Sequence, residues 1–434
     1  MTGRALGLVL LPVALLLGGT AVSGLAAAAG LALVALVAAC ALDRRMAPGA
    51  AAWRAVRHHQ PLLSIGVANP VDLVLRSVHP HPTRIVVRDE AAPDLEPAPM
   101  LFRTRLPGWG EARCRYTLLP HRRGRYRMGR VVVRACGPLG LWTRQVHLPL
   151  AEEVRVYPDL TPVRAWDDRR RRGEPAIPGM RRVRWAGQGV EFRGVREQVD
   201  GDDFRLVNWR ATARMGRLMV TEHQPERAQT VWILVDCGRA MQGGIEGLQK
   251  LDHACNAALL FAHVAVRSGD RVGVLAFADR VGALLVPRPG PAQFRRTLEL
   301  LFGLRAGAVE SDPALALARW RRLQGRRALA VLFTDVADPA AAGRLDRALA
   351  GAQPRHLVLV VTQRDPVLGR AAWAPPASAD AVYQRAAALA TIAERDRGLE
   401  ALRHRGWLTV DSTVSALAPS VVSRYLELKT RGRL

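Results

Sequence analysis

Between Ala5 and Leu42 no residue carries a charge, a run of 38 positions. Roughly 20 apolar residues suffice for a helix to cross a bilayer once. Gly18-Gly19-Thr20 and Ser23-Gly24 divide the run near its middle into two apolar stretches, each about long enough to span. Arg4 flanks one end, and Arg44, Arg45, Arg54 and Arg57 flank the other. Basic flanks stay on the cytoplasmic side, so both are satisfied only if the chain crosses twice. The pattern predicts a transmembrane helical hairpin over residues 5–42 in the inner (cytoplasmic) membrane, with the soluble part facing the cytoplasm. Ala38-Ala39-Cys40 imitates a signal-peptide cleavage site, but the apolar run is far longer than an ordinary h-region.

A chain of 434 residues exceeds one ordinary domain. Residues 53–158 carry short β-rich runs broken by Pro and Gly, among them Leu73 to Val78, Thr83 to Val87 and Ala112 to Leu118, the spacing of a β-sandwich-like module. Residues 159–229 form a basic connector with Arg169 to Arg172, Arg181, Arg182 and Arg184, whose solvated charge could also grip anionic lipid. From residue 230 to 434 apolar strands such as Val231 to Val235 and Ala328 to Thr334 alternate with helical patterns such as Gly247 to Ser268. Continuous apolar strands must be covered on both faces, which predicts an α/β doubly wound, mostly parallel sheet.

The chain has 63 Lys+Arg against 38 Asp+Glu, a formal charge of +25. Only Lys250 and Lys429 are lysines, so the excess is arginine, a bias that a GC-rich genome produces without selection for a ligand. The charge is spread along the chain, and nucleic acid is not the expected partner. Five cysteines without a C-x-x-C pair indicate neither a disulfide framework nor a zinc site.

In open α/β sheets ligands bind beyond the carboxyl ends of the strands. Asp236 closes Val231 to Val235, and Asp335 follows Leu332-Phe333-Thr334. Here the sequence resembles the von Willebrand factor A domain, whose metal-ion-dependent adhesion site uses Asp-x-Ser-x-Ser, a Thr and an Asp on three loops. That resemblance implies Mg2+, a hard ion that takes oxygen ligands. The loop reads Asp236-Cys237-Gly238-Arg239-Ala240, however, so both hydroxyl positions are gone. The remaining set is a degenerate metal site of Asp236, Asp335 and one of Ser311 or Asp312, and Mg2+ is the one cofactor for which the sequence offers a site. Without metal, Asp236 would cap the next element and Asp335 would be a strand-end turn residue.

The most specific segment runs from Gly187-Gln188-Gly189-Val190-Glu191-Phe192 through Arg196-Glu197 and Gly201-Asp202-Asp203 to Arg205-Leu206-Val207-Asn208-Trp209 and Ala213-Arg214. It closely resembles the signature of the domain-of-unknown-function 58 family. Arg123-Gly124-Arg125-Tyr126 and Gly137-Pro138-Leu139-Gly140-Leu141-Trp142 extend the match. Gln198 and Asn208 depart from the family's usual Tyr and Asp. The resemblance implies a membrane-anchored adaptor that partners a MoxR-type AAA+ ATPase in assembling or maturing other proteins. Glu191, Arg196, Asp202, Asp203, Arg205, Trp209 and Arg214 are the candidate partner-binding residues. Physically, the alternating charges could instead form an ion-pair network, with Phe192 and Trp209 as buried anchors.

The chain is expected to be no enzyme. Neither lysine lies in a Gly-Lys-Ser/Thr context, and there is no G-x-S-x-G or H-E-x-x-H. The alternative reading is a magnesium-dependent hydrolase using Asp236, Asp312 and Asp335. His253 and His263 are ten apart on one helix, which predicts that one packs and the other is solvated.

Overall fold

Residues Gly3–Gly18 and Ser23–Met46 form two helices, α1 and α2, that pack against one another in the computed structural model. The structure describes residues 2–18, 23–174, 190–199, 207–225, 228–352 and 355–434, which divide into two compact units, Met1–Asp159 and Leu160–Leu434. The two helices are unequal, which corrects the expectation of two comparable spans. With 16 residues α1 is about 24 Å long, short of the roughly 30 Å hydrocarbon core. Among the described residues only Ala26–Met46 is long and apolar enough to cross a membrane by itself.

Both outer helix ends are fastened to one loop, and it is the Gly137 to Trp142 stretch. Wholly buried Asp43, in the last turn of α2, accepts hydrogen bonds from the backbone N–H groups of Leu139, Leu141 and Trp142, each at 2.7 Å. A Cβ on Gly137 would fall 2.3 Å from that carboxylate, so glycine is required there. Thr2, just before α1, donates through Oγ1 to Gly140 O at 2.7 Å, and its N–H bonds Leu141 O. The shared loop brings the start of α1 and the end of α2 to one side, as the basic flanks predict.

Ten strands follow in three sheets. Trp53–His59, Asn69–Ser77 and Glu111–Leu118 form the first; Phe102–Leu106, Thr83–Asp89, Val131–Cys136 and Thr143–Leu148 form the second. In the third, Glu152–Tyr157 lies between Leu63–Ser64 and Gly124–Met128. Alternate residues point inward, as Val71, Leu73 and Leu75 do, which is the pattern of a sheet covered on one face. One buried ionic cluster joins all three sheets. Arg57 bonds Asp89 through both Nε and Nη2 and reaches Glu152 at 2.7 Å, while Tyr116 donates its hydroxyl to Asp89 at 2.6 Å. Burial pushes the Tyr116 hydroxyl up, and the adjacent Asp89 charge and hydrogen bond push it further.

The second unit is built on a six-stranded sheet. With its strands counted in chain order as Thr230–Asp236, Arg271–Phe277, Val281–Arg288, Leu329–Phe333, Leu357–Arg364 and Leu408–Thr413, the spatial order is 3-2-1-4-5-6. All neighbours are parallel except the third, an antiparallel edge strand with alternating burial. This mixed, mostly parallel sheet is consistent with the von Willebrand factor A-like expectation. Asp312, Asp338 and Asp365 each cap a helix with the side chain, and Pro313, Pro339 and Pro366 occupy the first helical position. The missing proline N–H is one the helix start leaves unpaired anyway.

Two expectations need correction, and a third residue falls to one of its two readings. The connector begins as a helix, Thr161–Arg171, that buries Val163 and Trp166 and packs on the helix Lys250–Arg267. His253 and His263 are both buried: His253 Nε2 faces Ile245 O at 2.9 Å and His263 Nε2 faces Asp167 at 3.0 Å. Trp209, a candidate partner-binding residue whose alternative reading is a buried anchor, is 66% exposed, which excludes the anchor.

The cluster around Asp89 sets a test for the first unit. Asp89→Ala removes the two-point partner of the buried Arg57 guanidinium, leaving it only Glu152 and backbone carbonyls, and is expected to destabilise that unit by about 3 kcal/mol, read by urea denaturation.

Candidate functional site

The carboxyl end of the sheet gathers charged side chains from four strands, and each charge already has a partner within the chain. At the end of the first strand Asp236 is buried. Its Oδ1 accepts from Gly238 N at 2.8 Å and from the Ser311 hydroxyl, and its Oδ2 accepts from Thr334 Oγ1 at 2.6 Å. Ser311 reaches it because the loop before the helix Pro313–Leu323 lies against the strand-end loop. Arg239 N donates to Val309 O at 2.8 Å and Gly307 N to Cys237 O at 2.7 Å. A Cβ on Gly238 would stand 2.0 Å from Ser311 Oγ. Serine at position 238 and Ser311 in this position therefore exclude one another.

Asp335 lies beyond the fourth strand, between two cations. Lys250 Nζ bonds its Oδ2 and Arg395 Nη1 bonds its Oδ1 at 2.6 Å. Lys250 opens the helix Lys250–Arg267, whose capping box of Gln249 and Asp252 fixes that first turn. Its carbonyl is held by Gln363 Nε2 at 2.9 Å. Arg395, on the helix Ala379–His404, spans to the sixth strand, with Nη2 bonding Asp411 Oδ1 at 2.8 Å and Gln363 O at 2.9 Å. Asp411 also takes Arg364 Nε at 2.6 Å and the Thr362 hydroxyl at 2.8 Å. The result is a ladder Lys250–Asp335–Arg395–Asp411–Arg364 along the strand ends. Burial alone would raise both carboxyls, but the charges of Lys250 and Arg395 hold Asp335 below the usual carboxylate range. Arg364 and Arg395 do the same for Asp411. Arg395, which burial would lower, is instead raised by Asp335 and Asp411.

These residues do not fit a resident divalent ion. All four oxygens of Asp236 and Asp335 accept from N–H or O–H donors. Lys250, Arg395 and Arg364 balance Asp236, Asp335 and Asp411, leaving no excess negative charge. Asp312, the other candidate ligand, turns its Oδ1 to Ala314 N at 2.9 Å and Leu315 N at 3.0 Å as a helix cap. Among the described residues no group of three His, Cys, Asp or Glu side chains is placed to hold a metal.

The signature residues fall elsewhere. Glu191 and Arg196 belong to the strand Val190–Glu197, which pairs antiparallel with Met219–Pro225. The Glu191 and Phe192 side chains, and Asp202, Asp203 and Arg205 altogether, lie outside the described residues. Arg196 donates to Glu197 O at 3.0 Å, and Glu197 pairs with Arg217 at 2.9 Å. Trp209 and Arg214 are exposed on the short helix Trp209–Met215. Asn208 caps it, its side-chain oxygen accepting from Ala211 N at 3.1 Å. Lys250, Thr334 and Arg395 were not among the residues the sequence singled out for the site. A signal existed for Lys250, one of two lysines in a chain that otherwise uses arginine.

Residues 194–382 match the model of the family described as "Protein of unknown function DUF58". The uncharacterized protein Rv1480 of Mycobacterium tuberculosis and the uncharacterized protein Mb1516 of Mycobacterium bovis are each 31% identical over 184 residues, 42% of this chain and 56% of theirs. The matched stretch thus spans little more than half the length of these relatives. Among solved structures, the conserved hypothetical protein BatB from Bacteroides thetaiotaomicron overlaps 31% of this chain and 67% of its own, at 16% identity and a TM-score of 0.24. The CARDB domain of the PF1109 protein from Pyrococcus furiosus, solved in complex with di-metal ions, overlaps 24% of this chain and 91% of its own, at 10% identity and a TM-score of 0.19. Overlaps this small assign nothing to the present chain.

Two outcomes follow from the closed strand ends. Neither added Mg2+ nor a chelator is expected to move the thermal midpoint of the full-length protein; a rise with Mg2+ that the chelator reverses would contradict the donor count. Because Asp335 and Asp411 are held below their unfolded values, their contribution to stability is complete above about pH 5 and drains away as the pH falls through about 4 and below. Asp335→Asn, lacking one of these carboxylates, is expected to show a shallower acid decline in denaturant midpoint.

Proposed function

We propose that this chain, a DUF58 protein over residues 194–382, is a membrane-anchored, non-catalytic interaction protein whose von Willebrand factor A-like unit docks a protein partner. The observation that carries this reading is Trp209, 66% exposed at the start of a helix capped at both ends, by Asn208 and by Gly216, inside the family-matched stretch. Exposed tryptophan beside arginine is the composition of an interface hot spot, and Arg210 and Arg214 stand on the same helix. The closed strand ends support the same reading. A hydrolase needs an open carboxylate or an acidic cage for its ion, whereas Asp236 and Asp335 are spent on structure. Nothing in the geometry at Asp236, Asp312 and Asp335 favours the magnesium-dependent alternative.

By family resemblance the partner is a MoxR-type AAA+ ATPase, which would supply the energy that this chain has no nucleotide motif to harvest. The helix α2 anchors the chain, α1 lies along it, and the remaining residues face the cytoplasm. Trp209 and Arg214, exposed on one short helix, are the docking residues that the described structure supports; Glu191, Arg196, Asp202, Asp203 and Arg205 are assigned to the same role by family resemblance alone.

Affinity purification of the full-length protein from mild-detergent membranes, with partners identified by mass spectrometry, tests this. An AAA+ ATPase is expected with the wild type, and Trp209→Ala is expected to cut its recovery roughly thirtyfold, the scale of a hot-spot loss. Absence of any such ATPase overturns the partner; recovery unchanged in the variant overturns the docking face.

A further inference from the structure

The end of α2, Val9 of α1 and the sandwich strand after Gly137 to Trp142 line an open cavity of about 790 Å³ within the first unit. Its wall is aliphatic, with Leu33, Leu36 and Val37 of α2, and its mouth carries the guanidiniums of Arg44, Arg45 and Arg144. From Leu33 to Arg44 is about 16 Å along the helix, so the lining grades from apolar to cationic over roughly half a bilayer. Trp142 stands at the mouth, and the Arg44 guanidinium lies 5.2 Å from its ring centroid. Arg144 is aimed by its bond to Ala47 O at 3.1 Å.

No acidic residue lines this cavity. Asp43, next to Arg44 in sequence, cannot supply a counter-charge at the mouth, because its carboxylate is wholly buried and turned to three backbone N–H groups. Arg45 makes no hydrogen bond or ion pair among the described residues. Three exposed guanidiniums thus converge on one opening without a carboxylate to answer them.

We infer that this cavity binds an anionic phospholipid, its phosphate at Arg44, Arg45 and Arg144 and an acyl chain along Leu33, Leu36 and Val37. The inference rests on the reading that α2 is in the membrane. Guanidinium pairs with phosphate oxygens through two parallel N–H donors, and basic pockets beside membrane helices at the cytoplasmic face suit anionic headgroups. A zwitterionic lipid brings its own ammonium to a site that is already cationic. A soluble phosphate leaves the aliphatic wall unused.

The test uses the full-length protein in mild detergent, with bound lipid counted by native mass spectrometry during titration with phosphatidylglycerol or phosphatidylcholine. Phosphatidylglycerol is expected to bind preferentially. Arg45→Gln, which removes no described contact, is expected to weaken it about fivefold, and the double variant Arg44→Gln/Arg45→Gln roughly tenfold to thirtyfold, with phosphatidylcholine unaffected. Thermal midpoints of both variants establish that they are folded. Equal binding of the two lipids, wild-type affinity in folded Arg45→Gln, or displacement by inorganic phosphate overturns the inference. Alkaline extraction of membranes tests the anchor separately: release of the wild type sinks the membrane reading, whereas retention without lipid preference sinks only this site.

Discussion

A carboxylate taken out of water must be given hydrogen-bond donors or a cation, and this chain answers that demand internally at every buried aspartate that organises it. Asp43 receives three backbone N–H groups. Asp89 receives Arg57 and Tyr116, Asp236 two hydroxyls and an amide, and Asp335 a lysine and an arginine. Asp270 receives Lys429, Tyr425 and Gln229 N. Breaking such a pair leaves a buried charge without compensation, which costs more than the intact pair contributes. The loop at Gly137, the joined sheets and the strand-end ladder each depend on one of these aspartates.

The two lysines belong to the same logic. In a chain with 61 arginines, Lys250 and Lys429 are each turned to a buried aspartate. An ammonium is a compact charge with three donors, while a guanidinium is a planar fork that needs a flat, wide acceptor site. At Asp335 the two are used together, the lysine on one oxygen and Arg395 on the other. Arg395 then continues to Asp411, tying the fourth and sixth strands through one side chain. The outcome is an α/β sheet whose strand-end carboxylates are closed by the chain's own cations and hydroxyls.

Much of the architecture was legible in the sequence because hydrophobic pattern dictates it. Continuous apolar runs such as Val231 to Val235 had to be central strands, and the uncharged run had to form apolar helices. The inequality of α1 and α2 followed from where the first helix ends, which small turn residues mark only loosely. The site was legible in part. Asp236 and Asp335 were placed at strand ends, yet whether Ser311 or Asp312 faced Asp236 stayed open. Asp312-Pro313 repeats the Asp-Pro pair at 338–339 and 365–366, each a cap followed by a first helical residue, and that pattern leaves Ser311 for Asp236. Arg395 could not be found from sequence, because nothing in one arginine among many on a long helix shows which strand end it meets. For Trp209 the sequence leaves two readings, a docking residue or a core anchor, since size and apolarity alone do not distinguish a presented tryptophan from a packed one, and its 66% exposure excludes the anchor.

The central claim is that the Lys250 ammonium holds the position at Asp335 that a metal ion would otherwise claim. With two lysines in the chain, selective isotope labelling of lysine side chains yields two ammonium signals by magnetic resonance, assignable with Lys429→Arg. The account predicts a Lys250 signal that is unchanged by Mg2+ and shifts in Asp335→Asn. A Lys250 signal that moves or broadens with Mg2+ while Lys429 stays fixed would mean that the ion displaces it, and would contradict the claim.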